Sequence, residues 1–348
     1  MKPGWKIWID RGGTFTDVIA QRPDGSLAKL KVLSADPERY GDPVREGIQR
    51  VLAGEPGQVD LESIEVVRIG TTIATNALLE GKGEPTVLVT TKGFGDALWI
   101  GYQARPKIFE LNIRRPAPLY ARVIEVKERL AADGSVSVPL AEAELEDDLR
   151  AARDVGLKSA AIVFLHSYRN PAHEERAASI ARSVGFEYVA ISSEVSPLIR
   201  FVSRGQPAVA APHLTPLIRR YFHQLDEDVH APLFFMQSNG GLVAGDRVLG
   251  KDVVYSGPAG GVVGMARAGE REGFDRLIGF DMGGTSTDVS VYDGAFERRD
   301  ETIVRDLRLR APSLEVNSVA SGGGSILSFD GMRLRVGDDS AGADPGPP

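Results

Sequence analysis

The chain has 348 residues, 42% hydrophobic and 26% charged, with a formal net charge of −7 and no cysteine. That length allows two domains with sizeable cores; the missing cysteines exclude disulfides, thiolate zinc sites and a cysteine nucleophile, and the negative charge counts against a nucleic-acid partner. No apolar run reaches the roughly 18–20 residues that cross a membrane, and Met1 to Lys6 carry no export-signal apolar stretch, so the cytoplasm is the expected compartment.

In chain order, Lys6-Ile7-Trp8-Ile9 reads as a buried strand, and residues 17–20 as a second strand ending in the hairpin signal Asp24-Gly25. Residues 28–33 complete a meander. Asp42-Pro43 opens a helix over 44–52, with proline directly after a good cap. A strand over 66–70 runs into residues 71–79, which begin with threonines and continue as an apolar helical stripe. The helix start at Gly70-Thr71-Thr72 reads either as an anion contact or as plain capping. Another strand covers 86–90. From 92 to about 128 the pattern turns irregular, with Gly101-Tyr102-Gln103-Ala104-Arg105-Pro106 and Arg114-Arg115-Pro116-Ala117-Pro118. Such a stretch is a ligand loop or a mobile surface insertion. A helix over 141–155, a strand over 160–165, a helix over 171–184 and a strand over 188–191 then alternate, as in an α/β protein with a partly parallel sheet. The five histidines form no metal-ligand spacing on one helix.

One ten-residue stretch occurs twice. Ile9-Asp10-Arg11-Gly12-Gly13-Thr14-Phe15-Thr16-Asp17-Val18 returns as Phe280-Asp281-Met282-Gly283-Gly284-Thr285-Ser286-Thr287-Asp288-Val289, identical at seven of ten positions. Each copy follows an apolar strand and enters a second strand, the later one ending at Asp293-Gly294. A strand–turn–strand of this kind is neither a P-loop nor a dinucleotide fingerprint, both of which enter a helix. Paired glycines let the backbone approach a bulky anion and aim N–H groups at it, and Thr14 and Thr285 add hydroxyls at the bend. Asp10 and Asp281 are hard oxygen ligands able to hold Mg²⁺ directly or through water. Two facing turns would clamp a polyphosphate between two lobes. Gln237 to Gly241, Ser256 to Gly264 and Ser321 to Ser325 are further glycine bends near the second copy; the middle one resembles a loop entering a helix.

The twin turn resembles the two phosphate motifs of the actin-like ATPase superfamily. More specifically, the chain resembles the hydantoinase A/5-oxoprolinase family through the first turn, residues 70–79, Phe164-Leu165-His166-Ser167-Tyr168, Ser192 to Pro197, 256–264, 279–289 and Gly322 to Ser325. Within that family, Arg11, residues 33–40, 100–105 and Arg204-Gly205 are most similar to the 5-oxoprolinase branch. The resemblance implies an α/β fold: a ribonuclease H-like lobe with a mixed sheet over 1–190, carrying the insertion at about 92–128. A hydantoinase A-type domain follows over 191–348, ending inside a second such lobe soon after an expected third strand at 332–336.

It also implies chemistry. ATP with Mg²⁺ would activate a lactam oxygen, and water would open the ring, turning 5-oxo-L-proline into L-glutamate. Gly12, Gly13, Thr14, Thr16, Gly283, Gly284, Thr285, Thr287, Gly322, Gly323 and Gly324 would hold the nucleotide. Asp10 and Asp281 would orient the metal, with Asp17 and Asp288 bracing the turns. Gln103 and Arg105 are placed on the substrate side, because a lactam carboxylate needs a cationic or amide partner. The expected partners are the lactam, a hydantoinase B-type subunit or fused half, and further copies of the chain, with neither nucleic acid nor membrane. The alternatives are a hydantoin or N-methylhydantoin hydrolase component, a sugar-kinase-like phosphotransferase, a non-catalytic nucleotide switch, or an inactive truncated fragment. His213 stands where relatives usually carry tyrosine, which puts local packing in question.

Overall fold

The computed structural model describes residues 4–54, 61–103, 109, 111–112, 115–284, 286–304 and 307–342. The first half runs β1 (Trp5–Arg11), β2 (Phe15–Gln21), β3 (Leu27–Leu33), α1 (Pro43–Ala53), β4 (Ile64–Thr71), α2 (Ile73–Glu80), β5 (Thr86–Thr91), α3 (Ala97–Ile100) and β6 (Tyr120–Val126). A small hairpin, β7 (Arg129–Leu130) and β8 (Val136–Val138), precedes α4 (Glu142–Asp154), β9 (Ser159–Val163), α5 (Ala172–Val184), β10 (Tyr188–Ile191) and α6 (Ser192–Val195). Then come α7 (Phe201–Val229), β11 (Leu233–Met236), β12 (Leu242–Ala244), α8 (Ser256–Arg271), β13 (Arg276–Met282) and β14 (Thr287–Asp293). Short strands follow: β15 (Arg298–Arg299), β16 (Thr302–Val304), β17 (Leu307–Leu309), β18 (Ser313–Leu314), β19 (Asn317–Val319), β20 (Ser325–Phe329) and β21 (Leu334–Ser340).

Two sheets carry the first part of the chain. The larger has the order β12-β11-β4-β1-β2-β3, with β1 parallel to β4 and antiparallel to β2. Ile7, Ile9, Val18, Val67, Ile69 and Phe235 are buried in one core with residues of α1, α2 and α7. Strands from both sides of residue 190 therefore share this sheet. The smaller sheet, β10-β9-β5-β6, is parallel throughout. Its inner strands β5 and β9 are buried along their whole length, as continuous apolar strands covered on both faces should be.

Helix α7 joins the two. Ala208 and Val209 pack on the smaller sheet, while Ala210, Leu214, Ile218 and Leu225 enter the core of the larger. Near its start Arg204 is fully buried and donates to Phe164 O (2.5 Å), Leu198 O (2.8 Å) and Ser192 Oγ (2.7 Å). Glu174, also fully buried, accepts from Phe164 N–H and the Ser193 N–H. Three separated motifs that carry the family resemblance thus meet around one guanidinium. Both buried charges tolerate burial because hydrogen bonds engage them, and Ser192 Oγ bridges the two.

Several expectations change. The irregular stretch 92–128 contains β6, which pairs in parallel with β5. Residues 256–264 are helical from Ser256 onward. At 70–72 the strand extends through Thr71, whose Oγ1 accepts the Ile73 N–H, while Thr72, at the N-cap of α2, makes no side-chain cap bond. The third strand of the second meander is β19, not 332–336. Asp330 accepts from the Met332 and Arg333 N–H groups, and this turn folds 325–340 into a hairpin of its own. His213 sits buried on α7 with Nδ1 3.0 Å from Glu84 O. Burial lowers its pKa. No helix among the described residues is long and apolar enough to cross a membrane.

Candidate functional site

The two copies of the repeated stretch fold alike. In the first, Asp10 stands opposite Asp17 across β1 and β2; in the second, Asp281 stands opposite Asp288 across β13 and β14. Each turn is closed by its first glycine: Gly12 N–H donates to Phe15 O (3.0 Å) and Gly283 N–H to Ser286 O (2.9 Å). Among the described residues neither Gly13 nor Thr14 gives its backbone N–H to the protein. Those donors at the tip are available to an anion.

Beneath the tips the turns are braced. Ser34 donates from its hydroxyl to Gly12 O (2.7 Å) and from its N–H to Thr14 O (2.9 Å), and its hydroxyl lies 2.9 Å from Thr16 Oγ1. Thr16 is fully buried, and Thr287, buried too, donates to Ser321 O (2.6 Å). Both were expected to touch nucleotide; their hydroxyls instead lie under the turns. Gly323 and Gly324 likewise donate to Gly283 O and Gly284 O, each at 2.8 Å, and Gly322 N–H donates to Ser325 Oγ. Gly322 to Gly324, expected to line the nucleotide site, thus use their backbone donors to support the second turn. Asp17 pairs with Lys31 on β3 at 2.9 Å, and Asp288 accepts from Ser318 on β19 at 2.5 Å. Thr285 lies outside the described residues.

The turns meet at α8. A methyl built on Gly284 would stand 3.8 Å from Thr14 Oγ1, so the tips face each other. Ser256, fully buried, accepts from Thr71 N–H (3.0 Å) and donates to Thr71 O (2.7 Å), tying the start of α8 to the end of β4 beside Asp10. Methyls on Gly257 and Gly261 would come 3.7 Å from Asp10 Oδ1 and 3.9 Å from Asp281 Oδ2. The positive end of a helix dipole therefore lies between the two carboxylates, where an anion is favoured. Gly257, Gly260, Gly261 and Gly264 form one glycine face along a cavity of about 560 Å³. Trp8, Met236 and Leu242 help to form its apolar walls.

Asp10 opens onto this cavity, yet surrounding protein partly displaces its water. That desolvation, then the Asp17 and Asp281 carboxylates, raise its pKa, while Lys31 opposes the shift. Arg68 also lines the cavity, its guanidinium 5.2 Å from the Trp8 ring and its buried NH1 atom without a hydrogen-bond partner. Sequence reasoning missed Trp8 and Arg68. The available signal was the unbroken apolar run of Ile7-Trp8-Ile9, which implies cover on both faces of β1. Arg11 is tethered away from the cavity: NH1 is 3.1 Å from Asp42, and the guanidinium lies 4.9 Å from the Tyr221 ring centroid.

Of the two residues placed on the substrate side, Gln103 is not among those lining this cavity. Gln103 lines a separate chamber with Leu98 and Arg308, and its φ of 55° puts a non-glycine residue in the left-handed region. Arg105 lies outside the described residues. No group of three or more histidine, aspartate or glutamate side chains that could hold a metal occurs among the described residues.

Residues 6–185 match the hydantoinase/oxoprolinase N-terminal region, and residues 204–348 match hydantoinase/oxoprolinase. The chain belongs to the hydantoinase/oxoprolinase family. It is 44% identical over 377 residues to 5-oxoprolinase 1 of Arabidopsis thaliana and 41% identical over 389 residues to 5-oxoprolinase of Saccharomyces cerevisiae. In both cases 98% of this chain is covered, and it spans 30% of the relative's length. The crystal structure of ATP-dependent caprolactamase from Pseudomonas jessenii superimposes with a TM-score of 0.85 at 30% identity, covering 98% of this chain and 52% of that one. Hydantoinase/oxoprolinase membership accounts for both turns, which fall within the two matched regions.

Proposed function

We propose that this chain is the nucleotide-binding and lactam-activating part of an ATP-dependent cyclic amidohydrolase, with 5-oxo-L-proline opened to L-glutamate as its reaction. The observation that carries the reading is the convergence of Asp10 and Asp281 on the first turns of α8, beside the facing tips of two duplicated turns. The 5-oxoprolinase relatives support the substrate, and the ATP-dependent caprolactamase supports coupling of amide opening to ATP.

The residues fit the implied groups. Gly13 and Thr14 offer backbone donors, α8 its N-terminus and Arg68 an unpartnered guanidinium nitrogen, all suited to phosphate oxygens. Asp10 crowded by Asp17 and Asp281 is a site short of positive charge, which suits a hard cation. A cation held by only one or two carboxylates keeps water and phosphate in its remaining positions, as magnesium usually does. When bound, ATP supplies the phosphoryl group that makes the amide oxygen a leaving group, and magnesium neutralises its charge. Gly12, Gly13, Thr14, Gly283 and Gly284 form the jaws, and Asp10 and Asp281 hold the metal's waters. A second, hydrolytic half, fused or separate, completes ring opening.

The test uses the full protein with that half. Inorganic phosphate release should depend on 5-oxoproline and match glutamate formed. Phosphate release indifferent to any lactam, or a phosphorylated sugar as product, rejects the reading.

A further inference from the structure

Away from the α8 cleft, two cavities share one wall. The wall is Arg308 on β17, whose guanidinium lies 4.4 Å from the Tyr102 ring centroid. On one side is a chamber of about 170 Å³, lined mainly by apolar groups including Leu78, Leu98, Ile303 and Leu307, with Gln103 and Gln206 at its polar edge. On the other side is a polar cavity of about 270 Å³ lined by Arg200, Ser203, Glu301 and Arg310 as well as Tyr102 and Arg308. Ser203 and Gln206 sit one turn apart on α7, so a single helix face floors both.

The charges in the polar cavity do not balance. Among the described residues lining it, three arginines face one carboxylate, Glu301. That carboxylate is 2.8 Å from Arg308 NH1 and 3.7 Å from Arg310 Nε. Arg310 Nε is buried without a hydrogen-bond partner, and Arg200 has no ion pair among the described residues. An unsatisfied buried guanidinium nitrogen costs free energy that an incoming anion recovers. The neighbouring chamber has a different preference. An apolar cavity of about 150 Å³ accepts a ring the size of benzene, and this one is of that size.

The approach is also strained. On the loop that presents Tyr102, Gly101 has a positive φ (55°), which glycine adopts freely, and Gln103 has the same φ without being glycine. Gln103 is a costly residue for that region, and such strain gathers at ligand clamps. The hairpin bearing Arg308 is held to α7 by its N–H, which donates to Gln206 Oε1 at 3.0 Å.

We propose that these adjoining cavities bind a compact ring carboxylate, with the ring in the apolar chamber and the carboxylate on Arg308, which borders both, on the side that Arg200 and Arg310 line. The step deepens the lactam reading and rests on it for the identity of the ring, since 5-oxoproline is a five-membered ring bearing one carboxylate. It adds Arg308, Arg200 and Tyr102 to the substrate side, which sequence reasoning had confined to Gln103 and Arg105.

The test is titration calorimetry of the full protein without nucleotide, using 5-oxoproline, 2-pyrrolidinone, benzoate and inorganic phosphate as probes. The variants are Arg308→Gln and the more exposed Arg200→Gln, with nucleotide affinity measured alongside as the check of folding. The expected result is binding of 5-oxoproline but not of 2-pyrrolidinone, weakened roughly tenfold by either variant, with nucleotide affinity unchanged. Arg308-dependent binding of benzoate alone would keep the site and remove the lactam reading. Binding of 5-oxoproline with equal affinity to both variants would overturn the site and leave the lactam reading standing. Phosphate binding as tightly as any ring carboxylate would reduce the site to a general anion pocket, and no binding of any probe would overturn it outright.

Discussion

Asp10 and Asp281 stand over successive turns of one glycine face of α8, although 270 residues separate them in the chain. Methyls on Gly257 and Gly261 would lie 3.7 Å and 3.9 Å from their respective carboxylate oxygens. Asp10 is not placed there for stability, since burial, and then the Asp17 and Asp281 carboxylates, make it harder to ionise.

That conflict is measurable. The Asp10 pKa is raised in the fold, by desolvation first and then by Asp17 and Asp281. Between the ordinary value of 3.8 and the raised one, the folded state holds a proton that the unfolded state has lost. Stability therefore falls as pH rises through that window, and the deficit persists above it. Asp10→Asn should raise the melting temperature at pH 7, with the gain vanishing below pH 3.8. The same substitution should weaken Mg-ATP binding about tenfold or more, because it removes a metal-orienting oxygen. Melting curves across pH and calorimetry with nucleotide would check both halves; a variant that binds normally would remove Asp10 from the metal site.

Gly260 and Gly264 have open space where a Cβ would go. Gly264→Ala should stabilise α8 by about 0.5–1 kcal/mol, since glycine within a helix costs roughly that much against alanine. Gly260→Leu should leave folding intact and obstruct the 560 Å³ cavity. Urea denaturation and nucleotide titration separate the outcomes. Unimpaired binding by the leucine variant would place the nucleotide elsewhere.

At Gly322 a methyl would meet Gly283 O and Gly284 C, each at 2.6 Å, and both are backbone atoms that cannot rotate away. Gly322→Ala should cost about 1–3 kcal/mol by overpacking. Gly323→Ala, whose nearest contact is 3.7 Å, should cost much less. Denaturant midpoints of the two variants supply the comparison, and equal midpoints would show that the 321–325 bend does not brace the second turn.

Arg11 holds the first turn to Asp42 and Tyr221. Arg11→Met, which copies the residue at the matching position of the second turn, should destabilise the chain by about 1–2 kcal/mol through the lost ion pair and ring contact. Because Asp42 also caps α1 by accepting from Val44 and Arg45 N–H, increased hydrogen exchange should spread to the first turn of that helix. Exchange confined to residues near Arg11 would limit its role to its own side chain.

What could be read in advance was local chemistry. Asp-Gly turns, the Asp42-Pro43 helix start and the paired glycines act through neighbours in sequence, so β1, β2, α1 and the twin turn were legible. Helix α7 was not, because Pro207, Pro212 and Pro216 each remove a backbone donor and argue against a helix. Burial on two sheets overrides that local preference, and burial is not written in the residues nearby. For the same reason Thr16 and Thr287 looked like ligand donors: the sequence places a hydroxyl at a turn without saying which side faces solvent. The glycine face of α8 was visible as four glycines. Its meaning depended on Asp10 and Asp281 arriving from distant strands.

The tether at Arg11 gives the duplicated cleft a handedness of behaviour. The first turn is bolted to two helices through Asp42 and Tyr221, whereas Met282, the equivalent of Arg11, is 54% exposed. β13, which carries it, also leaves Ile278 and Phe280 largely exposed. The two turns are thus held unequally: the first is fixed to the core of the larger sheet, and the second carries an apolar side chain at the position of that anchor.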